Sequence, residues 1–197
     1  MLKLPRPDQR IFFTLAFFMA IFVVVSNFLV QFPIDFFGLN EVLTYGALTY
    51  PVTFLITDLS NRRYGKIKAR KIVYFGFILG LSLTLFFSTN FSDLISIRIA
   101  IGSGTAFLTA QLLDIHIFDR LRNKIWFLAP IVSSSIGSFI DTMLFFFISF
   151  YGTSFNWFNL ALGDFSVKLL IALIMLIPFR LLITRLKDVK HYSVETS

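Results

Sequence analysis

The sequence predicts an all-α, polytopic membrane protein with six transmembrane helices. Three observations carry that expectation: apolar runs of about twenty residues recur along the 197-residue chain, charged residues make up only 15% of it, and the basic ones gather in short blocks between the runs. A soluble domain carries roughly 25% charge. A bilayer core of about 30 Å takes about 20 apolar residues at the helical rise, so each run is long enough to cross.

Span 1 is expected from Ile11 to Phe32, after a short leader with Lys3, Arg6 and Arg10, and it reads as a retained span because its apolar run exceeds a signal-peptide core. Pro33, Asp35 and Gly38 break the helix into an acidic connection that ends at Glu41. Span 2 follows from Val42 to Ser60, then a basic block with Arg62, Arg63, Lys66, Lys68, Arg70 and Lys71 around Gly65. Span 3 covers Ile72 to Thr89 and span 4 Ile95 to Phe118. A second basic loop with Arg120, Arg122 and Lys124 leads to span 5, Trp126 to Tyr151. A connection with Asn156, Asn159, Gly163 and Asp164 precedes span 6, Val167 to Thr184, and the tail is basic again. The whole chain, 1–197, forms one transmembrane domain in this scheme.

The net charge of +7 invites a nucleic-acid reading, but the placement of the charge argues against one. Sixteen of the eighteen Lys and Arg fall before span 1, in the two basic loops or from Arg180 onward, which leaves Arg98 and Lys168 for the other face. Cytoplasmic loops of membrane proteins are enriched in Lys and Arg, so both termini are expected in the cytoplasm and the bilayer is the partner.

Repetition is weak: Ile56-Thr57-Asp58-Leu59 and Leu112-Leu113-Asp114-Ile115 each close a span before a basic loop, as parallel repeats in transporters do. Gly76 and Gly80 form a Gly-xxx-Gly pair suited to close helix packing.

With no cysteine, disulfides, thiolate metal sites and cysteine nucleophiles are excluded. There is no phosphate-binding Gly-Lys-Ser/Thr loop and no His-Glu-xx-His metal motif, and only His116 and His191 are available as imidazoles. Gly102-Ser103-Gly104 has the look of a nucleophile turn but reads better as small-residue packing. No enzyme, metal or cofactor follows from the pattern.

What remains is a surplus of polar groups inside spans, each costing about 2.5–3.5 kcal/mol when charged at a helix centre, so that they face a cavity or a partner. Asn27 and Gln31 share one helical face, Gln111 and Asp114 another, and Ser134, Gly137, Ser138, Asp141 and Phe145 a third. Asp58 lies below Phe54 and Pro51, and Pro51 frees backbone carbonyls within its span. Asp119 is expected in an interfacial ion pair with Arg120 or Arg122. Asp58 either pairs with Arg62, four residues on, or serves the site; His116 either pairs locally or relays protons. Asp141, in the middle of a long span without a basic neighbour in sequence, is the strongest functional candidate. Carboxylates, amides and aromatic faces together suit a planar heterocycle that donates hydrogen bonds.

Four blocks carry a resemblance to a known family: Ser26-Asn27-Phe28-Leu29-Val30-Gln31-Phe32-Pro33; Tyr50-Pro51 through Phe54 to Thr57-Asp58-Leu59, with Gly65 and Ala69-Arg70; Arg98-Ile99-Ala100 through Gln111-Leu112-Leu113-Asp114-Ile115-His116 to Arg120-Leu121-Arg122; and Trp126 through Ala129-Pro130 and Gly137 to Asp141-Thr142 and Phe145-Phe146-Phe147. In these blocks the chain resembles the queuosine precursor transporters. The resemblance implies a bacterial inner-membrane importer of 7-deazaguanine bases, the cyano and aminomethyl precursors of the tRNA nucleoside queuosine. Where many members have Glu the chain has Arg62, and where many have Asn it has Ser138. The expected midplane site comprises Asn27, Gln31, Phe54, Asp58, Gln111, Asp114, Ser138 and Asp141, with His116 as a proton relay. A homo-oligomer is compatible with the pattern. The alternatives are a carrier of another purine-like base or vitamin and, from a different class, a membrane-embedded enzyme or scaffold.

Overall fold

The structure is a computed structural model that describes residues 7–29, 32, 34, 43–87 and 91–185. Its helices are α1 (Pro7–Leu29), α2 (Tyr45–Thr49), α3 (Pro51–Tyr64), α4 (Lys66–Phe87), α5 (Leu94–Leu121), α6 (Leu128–Phe150) and α7 (Trp157–Arg185). Among the described residues, α1, α4, α5, α6 and α7 are long and apolar enough to cross a membrane. Their exposed side chains are largely Phe, Leu and Ile, for example Phe13, Phe75, Ile78, Ile101, Phe139, Leu170 and Ile177, as a lipid-facing surface requires.

The region expected as span 2 departs from a single continuous helix. Pro51 has no N–H to donate, and α2 ends just before it, with Tyr50 N donating to Gly46 O at 3.0 Å. The α3 helix that follows is polar, and from Pro51 to Asn61 most of it is buried. At 14 residues it is too short to cross a bilayer by itself, and its polar character fits its neighbours, which are protein: α4, α5, α7, α1 and α6 all pack against it. Backbone hydrogen bonds run from Ile34 N to Leu43 O and from Tyr45 N to Phe32 O, both 3.0 Å, and Phe32 N donates to Leu29 O at 3.1 Å, which ties the start of α2 to the end of α1. Span 6 also differs: α7 begins ten residues before the expected start, at Trp157, and so takes Asp164 and Lys168 into the helix.

Small residues set the helix spacing. A side chain at Gly76 would run into Met19, and one at Gly80 into Val23, so the Gly-xxx-Gly pair brings α4 against α1. Gly102 backs onto Ser149 and the Phe145 carbonyl, which fits α5 to α6, its most extensive partner.

The basic clusters meet at one end of the bundle. Arg62 Nη1 donates to Arg122 O at 2.6 Å and Arg122 Nη2 to Arg62 O at 3.0 Å, so α3 and α5 cap each other's C-terminal carbonyls. Gly65, at φ 77°, turns the chain sharply into α4 there. Asp119 pairs with Arg122 at 3.4 Å and Lys66 at 3.6 Å, so it forms the ion pair expected of it. Phe12 meets Tyr64 edge-on, and Arg180 lies over the Trp126 ring, which places the start of α1 and the end of α7 at the same end. At the opposite end Asp93 caps α5, and Arg98 donates to the carbonyls of Ile148 and Tyr151 at the end of α6.

Candidate functional site

Lys168, which charge placement alone assigns to the outer face, is the centre of a buried ionic cluster that forms the candidate site. It is 5% exposed, and its Nζ donates to Asp164 Oδ2 at 2.6 Å, Asp141 Oδ2 at 2.9 Å and Thr142 Oγ1 at 3.2 Å. Thr142 in turn donates to Asp164 Oδ2 at 2.8 Å. The Lys168 ammonium also lies 5.0 Å from the centre of the Tyr50 ring, over its face. Two carboxylates and one ammonium therefore share a nearly dry pocket with a net formal charge of −1, which a bound cation or a strong hydrogen-bond donor would offset. Asp164 does face a second intramembrane aspartate, contrary to its expected place in a connection.

Around this cluster lies a cavity of about 30 Å³. Tyr50, Gly46 and Ala47 contribute one wall from the break between α2 and α3, Ser26, Asn27 and Ser103 a polar wall from α1 and α5, and Phe145 an aromatic edge. Asn27 is fixed in that wall, donating to Thr84 Oγ1 at 2.9 Å and accepting from Ser103 Oγ at 2.6 Å. The space admits about two waters, so a bicyclic base needs the walls to part.

A second, smaller cavity of about 10 Å³ lies nearer the basic end, among Phe54, Asp58, Ser134, Ser138 and Phe179. Asp58 accepts from Ser133 at 3.3 Å and Ser134 at 3.2 Å and does not pair with Arg62 as the spacing allows. Asp114 sits beside Asp58, fully buried, and neither of its carboxyl oxygens accepts a well-formed hydrogen bond. The two aspartates of the weak sequence repeat thus come together across the interface of α3 and α5.

The expected single site is therefore divided. Asn27 and Asp141 line the upper cavity; Phe54, Asp58 and Ser138 line the lower one, with Asp114 beside Asp58. Gln111 enters neither lining: its Oε1 accepts from Thr57 and its Nε2 donates to Thr53 at 2.9 Å, locking α5 to α3. His116 is exposed on the surface of α5, on a different face from Asp114. Gln31 lies outside the described residues. Tyr50, Thr142, Asp164 and Lys168 belong to this candidate site, and the sequence pattern does not single them out. The spacing of Asp164 and Lys168, one helical turn apart, is the signal that points to them.

A multi-pass membrane protein with a buried ionic cluster beside a broken helix has the architecture of a small-solute carrier. The comparisons with known proteins make that class specific. A family model described as "Putative vitamin uptake transporter" matches residues 44–183. The chain is 34% identical to the queuosine precursor transporter of Escherichia coli K12, over 89% of this chain and 90% of that one. It is also 34% identical to a probable queuosine precursor transporter of Haemophilus influenzae, over 88% of this chain and 86% of that one. A probable queuosine precursor transporter of Bacillus subtilis is 28% identical over 78% of this chain and 76% of its own. The chain belongs to this transporter family. No solved structure matches it.

Proposed function

We propose that this chain carries queuosine precursors, 7-deazaguanine bases, into the cytoplasm across the bacterial inner membrane. The observation that carries the reading is the Asp141–Lys168–Asp164 cluster buried beside the break at Tyr50–Pro51. Discontinuous helices at midplane are where carriers bind their solutes.

The chemistry of the cluster suits the solute. The pyrimidine edge of a deazaguanine offers a ring N–H and an amino group side by side, which a carboxylate accepts in pairs, next to a carbonyl oxygen that an ammonium donates to. Asp141 supplies the carboxylate and Lys168 the ammonium, which turns one N–H from Thr142 or Asp141 to the base carbonyl, while Asp164, which also accepts from Thr142, keeps Lys168 in place. Tyr50 and Phe145 flank the base, and Asn27 with Ser103 limits its depth. In this scheme α2 and α3 together form the sixth span, the basic end faces the cytoplasm with both termini, and the cavity near Asn27 is the outward one. Transport leaves the base chemically unchanged.

The experiment uses cells unable to make 7-deazaguanines. Expression of this chain should restore queuosine in their tRNA when 7-cyano- or 7-aminomethyl-7-deazaguanine is supplied at low concentration. Normally inserted protein with no gain of queuosine on either compound contradicts the reading.

A further inference from the structure

The lower cavity holds a second set of ionisable groups that substrate recognition does not use. Asp58 and Asp114 are 2% and 0% exposed, stand side by side, and among the described residues neither forms an ion pair with a Lys or Arg. The nearest basic group on the same helix, Arg62, directs Nη1 to the Arg122 carbonyl. Lys168 is held in the other cavity by Asp141 and Asp164. From α6 the facing groups are the hydroxyls of Ser133 and Ser134, and from α7 the cavity receives only Ala172, Met175, Leu176 and Phe179. Two carboxylates without a cation in so dry a place repel each other and lose their hydration.

We propose that the Asp58–Asp114 pair is a proton-coupling site, separate from the solute cavity, and that the carrier moves a proton with its base. The proposal rests on the import reading above. Two further observations support it. Neither oxygen of Asp114 accepts a well-formed hydrogen bond from the groups beside it, Ser133, Ser134 and Asp58, and the buried hydroxyl of Ser138 has no partner, so the pair has acceptors in reserve and Ser138, which lines the same cavity, has a donor. The space, about 10 Å³, admits about one water, so a bicyclic base does not fit beside the pair, whereas a proton needs no room.

The two cavities also share their walls. Tyr50, Phe54 and Asp58 follow one another at intervals of four along α2–α3, and Ser134, Ser138 and Asp141 descend one face of α6. The Phe54 ring fills the space that a side chain at Gly137 would take, so a shift of α3 against α6 moves both sites at once. Loading of the pair and occupancy of the solute cavity are thereby tied to one helix interface, which is what symport requires.

The test uses purified full chain in proteoliposomes, with radiolabelled 7-cyano-7-deazaguanine, the membrane potential clamped at zero and the medium about one pH unit more acidic than the lumen. One proton per base predicts accumulation up to about tenfold above the level reached without the gradient. In Asp114→Asn the ratio of accumulation with and without the gradient should fall to about one. Wild-type protein that exchanges labelled for unlabelled base but reaches the same level with and without the gradient overturns the proposal and leaves the import reading standing; so does accumulation that follows a sodium gradient instead. Wild-type protein without exchange removes both. Should Asp114→Asn fail to insert, adding unlabelled base to wild-type vesicles decides: alkalinisation of the medium in step with uptake supports the proposal, and a constant pH overturns it.

Discussion

Lys168→Met should abolish import and destabilise the protein by about 3–5 kcal/mol, the usual cost of removing one partner from a buried ion pair. The substitution leaves Asp141 and Asp164 buried together with no ammonium between them, and it strips Thr142 of one of its bonds. Thermal unfolding of the detergent-purified protein reads the loss. A second variant separates folding from function: the triple substitution Lys168→Met, Asp141→Asn, Asp164→Asn leaves no buried charge in this cluster, so most of the stability should return. Import should not return, because both the carboxylate and the ammonium that recognise the base are gone. Recovery of transport together with stability would show that the cluster only holds α6 to α7.

Asp141→Asn should lower the initial rate of uptake at subsaturating precursor by about 10- to 100-fold. Hydrogen bonds to a charged group contribute about 1.5–3 kcal/mol, and about 1.4 kcal/mol is a factor of ten. The fold should tolerate this change better than the loss of Lys168, because Lys168 keeps Asp164 at 2.6 Å and the ion pair survives. An equal drop in stability for the two variants would contradict the division of labour between Asp141 and Asp164.

Much of the membrane architecture is legible in the sequence. Run length and the grouping of Lys and Arg locate α1, α4, α5, α6 and α7, and the spacing of Gly76 and Gly80 anticipates the close contact of α1 with α4. The character of α3 is less legible, because an apolar-run criterion measures exposure to lipid and this helix has little of it. The largest omission is Lys168. Asn159, Gly163 and Asp164 have the composition of a loop, so the expected helix starts too late, and charge counting then assigns Lys168 to the outer face. Tertiary pairing decides otherwise: the helix starts at Trp157, and the cost of carrying Asp164 and Lys168 into it is offset by their bond to each other and to α6. Periodicity places Ser138 and Asp141 on one face of α6, which is correct, but it cannot say how α3 and α5 are rotated against that face. That rotation puts Asp141 in one cavity and Asp58 in another, and turns Gln111 into a lock between helices.

Recognition of a deazaguanine base by Asp141 and Lys168, in the cavity beside the α2–α3 break, is decided most cleanly by a structure with 7-cyano-7-deazaguanine bound. The pyrimidine edge of the base should lie within hydrogen-bond distance of the Asp141 carboxylate and the Lys168 ammonium, with Tyr50 and Phe145 moved apart to admit the ring. A base bound at Asp58 and Asp114, or one that leaves the Lys168 cluster untouched, would contradict that recognition.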